Sequence, residues 1–132
     1  MAGSKAKVLI ATENNDVNAH LAGILWLKGM MAYKAGNSED CFNKVKELDG
    51  KLNAVIMSAE MAADRAARLI IKIKKVNQEI KILVIAAEDS AKTRILDYGT
   101  DEFSLKPLSG ENVADKVFNL LVNTQEQALR ES

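Results

Sequence analysis

Short apolar segments alternate with longer amphipathic ones along this chain. Three of the short segments are continuously apolar, as strands buried on both faces of a sheet are: residues 8–11, 54–57 and 82–86. Two more polar segments, residues 31–35 and 102–105, predict strands nearer the edges of the same sheet.

Amphipathic stretches follow each of these strands. We predict helices near residues 16–28, 38–48, 62–77, 90–98 and 110–129. A strand followed by a helix, repeated along the chain, is typical of a parallel sheet covered on both faces. The pattern therefore predicts an α/β, flavodoxin-like (βα)5 three-layer sandwich with a five-stranded parallel sheet, whose functional residues lie at the carboxyl ends of the strands.

Composition narrows the class of protein. The 132 residues predict one domain spanning 1–132, with a core at about 7–122 and a last helix extending to about 129. Eighteen basic and eighteen acidic side chains cancel, which argues against nucleic acid as a partner. Cys41 has no second cysteine to pair with, and no apolar run is long enough to span a membrane. We expect a cytoplasmic protein without membrane contact.

Three segments carry a resemblance to a known family. Residues 98–107 combine a glycine turn, an acidic pair, an aromatic residue and a Lys-Pro pair. Residues 7–14 form a strand that runs into an acidic position, and residues 53–61 form the third strand and the loop after it. In these segments the chain resembles the receiver domains of response regulators in two-component systems, over about residues 7–122. The resemblance implies a role in signal transduction.

The chain departs from the family at the residues that carry its chemistry. Receivers place two acidic residues after the first strand, a phosphoacceptor aspartate after the third and a hydroxyl after the fourth. Here Thr12 stands at the first acidic position, Glu13 at the second, Ser58 at the phosphoacceptor and Ala86 at the hydroxyl. A neutral serine neither attracts magnesium nor attacks a phosphoryl donor without a base. The resemblance thus implies a degenerate pseudo-receiver that is not an enzyme and acts through protein–protein contact without aspartyl phosphorylation.

Two receiver positions keep their residue types, the aromatic at Phe103 and the lysine at Lys106. Lys106 either pairs with Glu13 across the strand ends or captures an anion. Glu13, Asp16 and Glu60 could form a weak magnesium site, but carboxylates spread over two loops are more simply solvated. We assign neither a metal nor a cofactor.

Two alternatives stay open at this point. One is a receiver that is phosphorylated in an unorthodox way. The other is a cobalamin-binding domain of the same fold, because residues 18–23 resemble that family's D-x-H-x-x-G motif around His20. Asn18 replaces the motif's aspartate, however, and the segment after the fourth strand lacks the paired glycines that admit the nucleotide tail.

Because the residues for phosphoryl transfer are mostly replaced, we expect the function to depend on surfaces that bind a partner. Helical spacing turns four apolar residues of the first and fifth helices away from the core: Trp26, Phe118, Val122 and Leu129. They form a candidate interface with an unknown protein partner, or with a second copy in a homodimer.

The third helix carries a second candidate surface. Four basic residues share one arc of it: Arg65, Arg68, Lys72 and Lys75. A solvated face that keeps the helix soluble explains such an arc, and so does an acidic partner protein.

Overall fold

The computed structural model describes residues 6–58, 66–86, 101–105 and 112–121, without the side chains of 66, 67, 86 and 102–105. The elements follow one another as β1 (Lys7–Ala11), α1 (Asn15–Leu27), β2 (Met31–Ala35), α2 (Ser38–Glu47), β3 (Ala54–Ser58), α3 (Ala66–Val76), β4 (Lys81–Ala86) and β5 (Glu102–Leu105). A further helix, α4, covers residues 112–121.

All strand pairings in the sheet are parallel, and the five strands lie in the order β2-β1-β3-β4-β5. This is the flavodoxin-like order, so the predicted α/β class is confirmed. β2 and β5 form the edges, as their polar sequences predict. Four helices fall within the described residues. The predicted helix near 90–98, the beginning of the one at 62–77 and the end of the one at 110–129 lie outside them.

Alternating side chains of the three central strands fill two cores, one on each face of the sheet. On one face Leu9, Val55 and Val84 pack with side chains of α2 and α3. On the other face Ile10 and Ile56 pack with side chains of α1 and α4. Continuous apolar sequence is required because both faces of these strands are covered.

Two glycines allow helices to end where the sequence predicts. Gly29 has φ 85°, and the N–H groups of Gly29 and Met30 donate to Trp26 and Leu25 carbonyls at 3.0 Å, which closes the end of α1. Gly50 has φ 69°, and a Cβ there would lie 2.9 Å from Cγ1 of Val76. Glycine at 50 is therefore needed for both its conformation and its size.

Lys74 connects α3 to the amino-terminal ends of β4 and β5 through a hydrogen bond and an ion pair. Its Nζ lies 2.9 Å from Oδ2 of Asp101 and donates to the Ile80 carbonyl at 2.7 Å. The same carboxylate oxygen accepts from the N–H of Ile82 at 2.8 Å. This network lies at the end of the sheet opposite the carboxyl ends of its strands, so it supports the fold and not the candidate site.

No helix within the described ranges is both long and apolar enough to cross a membrane.

Candidate functional site at the carboxyl ends of the strands

The strand register brings three residues singled out in the sequence together at the carboxyl ends of the strands. Ala11 of β1 pairs with Met57 of β3, so Thr12, which follows β1, lies at the level of Ser58, the last residue of β3. Ser58 in turn pairs with Ile85, which directly precedes Ala86. The parallel topology thus gathers three of the predicted site positions, as the sequence analysis expects.

Thr12 is held by internal hydrogen bonds although it directly follows a strand. Its side chain is buried, with 4% exposure, and its hydroxyl lies 2.7 Å from Oδ1 of Asn18 and 3.1 Å from the Asn14 carbonyl. The hydroxyl also accepts from the N–H of Asn14 at 3.2 Å. Because the hydroxyl has one proton, the shorter contact to Asn18 is its main donation. The Thr12 side chain is therefore committed to the loop that begins α1.

Asn18 completes a small buried polar network. Its Nδ2 donates to the carbonyls of Thr12 at 3.1 Å and Ala35 at 3.2 Å, which joins α1 to the carboxyl ends of β1 and β2. This role of Asn18 is not predicted from the sequence, in which Asn18 is interpreted as a departure from a cobalamin motif. The available signal was its position three and seven residues before Leu21 and Leu25, on the buried stripe of α1.

Ser58 closes β3 and is almost inaccessible, with 1% exposure. Glu13, in contrast, is exposed in the loop between β1 and α1. Every buried side-chain nitrogen and oxygen in the described part of the chain has a hydrogen-bond partner. The described part of the site is thus neutral and internally hydrogen-bonded, and the exposed carboxylates nearest to it in the sequence are Glu13 and Asp16, the latter in the first turn of α1.

Other predicted site residues are placed less fully. Ala86 ends β4, and Phe103 pairs with Val84 inside β5, both by their backbone. Lys106 and Glu60 lie outside the described residues, so the pair between Lys106 and Glu13 stays a prediction. Within residues 6–58, 66–86, 101–105 and 112–121, no group of three or more acidic, histidine or cysteine side chains could hold a metal ion.

No protein-family model and no curated protein sequence matches this chain. Solved structures do match. A CheY-like receiver domain protein from Methanospirillum hungatei JF-1 has a TM-score of 0.83 at 16% identity, covering 94% of this chain and 99% of that one. A two-component response regulator from Clostridium difficile has a TM-score of 0.80 at 25% identity, covering 91% and 98%. A Thermotoga maritima response regulator in complex with Mg²⁺-BeF has a TM-score of 0.76 at 22% identity, covering 88% and 99%.

The chain has the fold of a response-regulator receiver domain. This agrees with the resemblance seen in the sequence. Ser58 is the last residue of β3, the strand at whose end the resemblance expects a phosphoacceptor. The match concerns the backbone, because identities at this level establish the fold alone.

The surface of α1 and α4 is exposed as the sequence predicts. Trp26 is 60% exposed and Phe118 is 54% exposed. Lys28 Nζ lies 3.8 Å from Asp115 Oδ1, so the end of α1 and α4 are neighbours in the receiver-like fold. Phe118 follows Asp115 by about one turn, whereas Trp26 precedes Lys28 by two residues, about 200° around a helix. Phe118 is therefore the better marker of the surface shared by the two helices.

The rest of the candidate interface, Val122 and Leu129, lies outside the described residues. On α3, Arg68, Lys72 and Lys75 are exposed, while Leu69 and Ile73 are buried against the sheet. The predicted separation of a basic face from an apolar face is thus present in the described part of α3. Arg65 lies outside that part.

Two further residues bear on chemistry. Cys41 is fully buried in the core under α2, and this burial raises the pKa of its thiol to about 12. A thiol held protonated is a poor nucleophile, so Cys41 is structural. His20 is exposed on α1, and the amide of Asn18 is occupied by its own hydrogen bonds, so the cobalamin alternative gains no support from either residue.

Proposed function

We propose that this chain is an atypical receiver-like signalling module that acts by binding other proteins, without aspartyl phosphorylation and without catalysis. The observation that carries the proposal is the identity and setting of Ser58. A buried, uncharged hydroxyl ends the strand on which the receiver resemblance expects an aspartate.

Serine cannot take over the chemistry of the aspartate. A carboxylate is ionised at neutral pH and attacks phosphorus directly, whereas a serine hydroxyl must lose its proton to a neighbouring base. Among the described residues, the neighbouring strand β1 is followed by Thr12, which is neutral and whose hydroxyl donates a hydrogen bond to Oδ1 of Asn18. Thr12 is therefore not a base that could activate Ser58.

Magnesium binding is disfavoured for a related reason. Mg²⁺ prefers carboxylate oxygens and gives up its water reluctantly, so a site usually needs at least one or two carboxylates near the phosphate. Thr12 replaces one of the two acidic residues, and its hydroxyl is already committed to the α1 loop. Glu13 is the carboxylate left in that loop, and it is exposed.

Without phosphorylation, we expect this domain to signal through contacts between its surface and other proteins. The receiver-like fold is retained, with a cluster of buried apolar side chains on each face of the sheet. A domain that keeps its fold while its chemistry is absent can still present a fixed surface to other proteins. We therefore assign its function to protein contact in a state that does not switch with phosphate.

Beryllofluoride with magnesium provides the direct test, because it mimics a phosphoryl group on a carboxylate. We expect the amide NMR spectrum of this chain to stay unchanged when both are added. The Thermotoga maritima response regulator is the positive control, since it has been solved with Mg²⁺-BeF. Shifts of the Thr12 and Ser58 amides in this chain would contradict the proposal.

Acetyl phosphate extends the same test to a covalent product. We expect no gain of a phosphoryl group in the intact mass of the protein after incubation with acetyl phosphate and magnesium. A modified protein whose label maps to Ser58 would favour the alternative of unorthodox phosphorylation. A label that disappears in Ser58→Ala would establish that alternative.

A further inference from the structure

A groove runs between α2 and α3 on the face of the sheet opposite α1 and α4. Phe42 and Asn43 line it from α2, while Arg68, Leu69 and Lys72 line it from α3. It holds about 330 Å³ of open space, near the lower limit of pockets that bind small ligands. A groove of this size suits a short segment with one inserted side chain.

Two positive charges from different helices converge on one aromatic ring in this groove. Nζ of Lys46 lies 5.0 Å from the centre of the Phe42 ring, and Nζ of Lys72 lies 5.4 Å from it. Contact between an ammonium group and a ring face is favourable. The two ammonium groups nevertheless repel each other, and the negative charge of a bound segment would offset that repulsion.

Three cations at the groove differ in their pairing from three other lysines of this chain: Arg68 and Lys72 line the groove, and Lys46 lies beside it against the Phe42 ring. Lys28, Lys44 and Lys74 each lie within 4.0 Å of a carboxylate. No carboxylate in the described part of the chain lies that close to Lys46, Lys72 or Arg68. Within the described residues, these three charges have no carboxylate partner.

We infer that the α2–α3 groove is a docking site for an acidic segment of a partner protein. Carboxylates of the segment pair with Lys46, Lys72 and Arg68, and an apolar side chain packs on Phe42 above the buried Leu69. This inference rests on the proposed function, because it names the partner chemistry and the place of contact for a module that acts by binding proteins.

Charge distribution favours a protein segment over a nucleic acid. Glu39 also lines the groove, and Asp40 follows it in the first turn of α2. These carboxylates would repel a continuous phosphate backbone at one end of the groove. A peptide can place its acidic residues opposite the cations and neutral residues opposite Glu39. The balanced net charge of the chain also provides no broad positive field for nucleic acid.

NMR titration with two synthetic peptide pools would test this inference. The acidic pool contains peptides with Asp or Glu on both sides of one Leu or Phe, and the matched neutral pool replaces each acid with its amide. We expect the acidic pool at about 1 mM to shift the amides of Phe42, Arg68 and Lys72, and the neutral pool to leave them unchanged. No shift in the groove, or shifts that the neutral pool reproduces, would overturn the inference.

Charge-reversal variants distinguish binding in the groove from general electrostatic attraction of acidic peptides. Lys46→Glu with Lys72→Glu should weaken binding of the acidic pool by roughly tenfold or more, because two favourable pairs become repulsive. Lys75→Glu is the control, since it reverses an exposed charge of the same helix outside the groove. Equal weakening by the control would overturn the inference, and so would binding of a single-stranded oligonucleotide that displaces the peptides from the groove.

The outcomes distinguish this inference from the function on which it rests. Failure of the peptide titration, with no response to magnesium and beryllofluoride, would remove the groove assignment and leave the proposed function standing. A response to beryllofluoride would instead contradict the proposed function, whatever the peptides do.

Discussion

The hydroxyl of Thr12 lies 2.7 Å from Oδ1 of Asn18, and the amide of Asn18 donates back to the Thr12 carbonyl at 3.1 Å. Both side chains are buried. The two residues thereby satisfy each other's hydrogen-bonding groups at the carboxyl end of β1. The receiver resemblance expects an acidic residue that helps to bind metal at this position. A structural hydrogen-bond network occupies a position at which the resemblance expects a charged side chain.

This network should be measurable in the stability of the protein. Thr12→Val keeps the shape of the side chain and removes its hydroxyl, which leaves Oδ1 of Asn18 buried without its donor. We expect the free energy of unfolding to fall by about 1–3 kcal/mol in urea denaturation, the cost of an unsatisfied buried polar group. Thr12→Ser is the control, because it retains the hydroxyl. Equal stability of Thr12→Val and the parent would show that the hydrogen bond contributes nothing.

Restoring one carboxylate should not restore receiver chemistry. Ser58→Asp places a carboxylate where the resemblance expects the phosphoacceptor, but Thr12 on the neighbouring strand stays neutral and hydrogen-bonded to Asn18. We expect acetyl phosphate with magnesium to label Ser58→Asp slowly or not at all. The comparison protein is Thr12→Asp with Ser58→Asp, which adds a second carboxylate for the metal and should be labelled faster. Rapid labelling of the single variant would show that Thr12 does not limit the site.

The sequence predicts the layered architecture well because the central strands must be apolar on both faces. Ile10 and Ile56 face one core while Leu9 and Val55 face the other, so their alternation is hidden in a continuous apolar run. The position of the candidate site is also predictable, because the carboxyl ends of parallel strands lie at the same end of the sheet.

Side-chain partners were not predictable in this way. Asn18 bonds to the Ala35 carbonyl across 17 residues, and Lys74 bonds to Asp101 across 27. The sequence analysis placed Asp101 in the acidic pair of a receiver-like segment, whereas its carboxylate joins α3 to β4. Such contacts depend on the relative placement of whole elements, which spacing along one element does not determine.

The Lys74 network predicts a specific loss of stability. Lys74→Met keeps an apolar side chain of similar length and removes the ammonium group, so the partly buried Asp101 carboxylate loses its cation. We expect the free energy of unfolding to fall by about 1–3 kcal/mol. Lys75→Met is the matched control, because Lys75 is the exposed neighbour on the same helix. A loss as large in Lys75→Met would mean that general charge, and not this network, is responsible.

Alkaline pH should destabilise the protein through Cys41. Burial raises the pKa of this thiol from 9.0 to about 12, so between these values the unfolded chain loses a proton that the folded chain keeps. Deprotonation then favours unfolding, and the stabilising contribution present below pH 9 is lost as the pH rises. From about pH 8 to about pH 10, the parent should lose roughly 1 kcal/mol more than Cys41→Ala. Parallel losses in the two proteins, measured by urea unfolding, would contradict this assignment.

The exposure of Phe118 leads us to predict that the protein forms a dimer through α1 and α4. Its ring is 54% exposed on the helix that meets the end of α1 at the Lys28–Asp115 pair. A two-fold dimer would use this surface twice, so one charged substitution enters the interface twice. The balanced net charge offers little repulsion against it. We therefore expect a dimer for the parent protein in sedimentation velocity and a folded monomer for Phe118→Glu.

Asn119→Glu is the matched control for the dimer, because it adds the same charge at the next exposed position of α4, about 100° around the helix. It should leave the dimer intact if Phe118 lies in the interface. A parent protein that stays monomeric at about 1 mM would contradict the homodimer. Unfolding of Phe118→Glu, detected by circular dichroism, would instead show that the ring stabilises the monomer. In that case Phe118→Ser, which removes the ring without adding charge, should lose stability to a similar extent and the dimer prediction would be withdrawn.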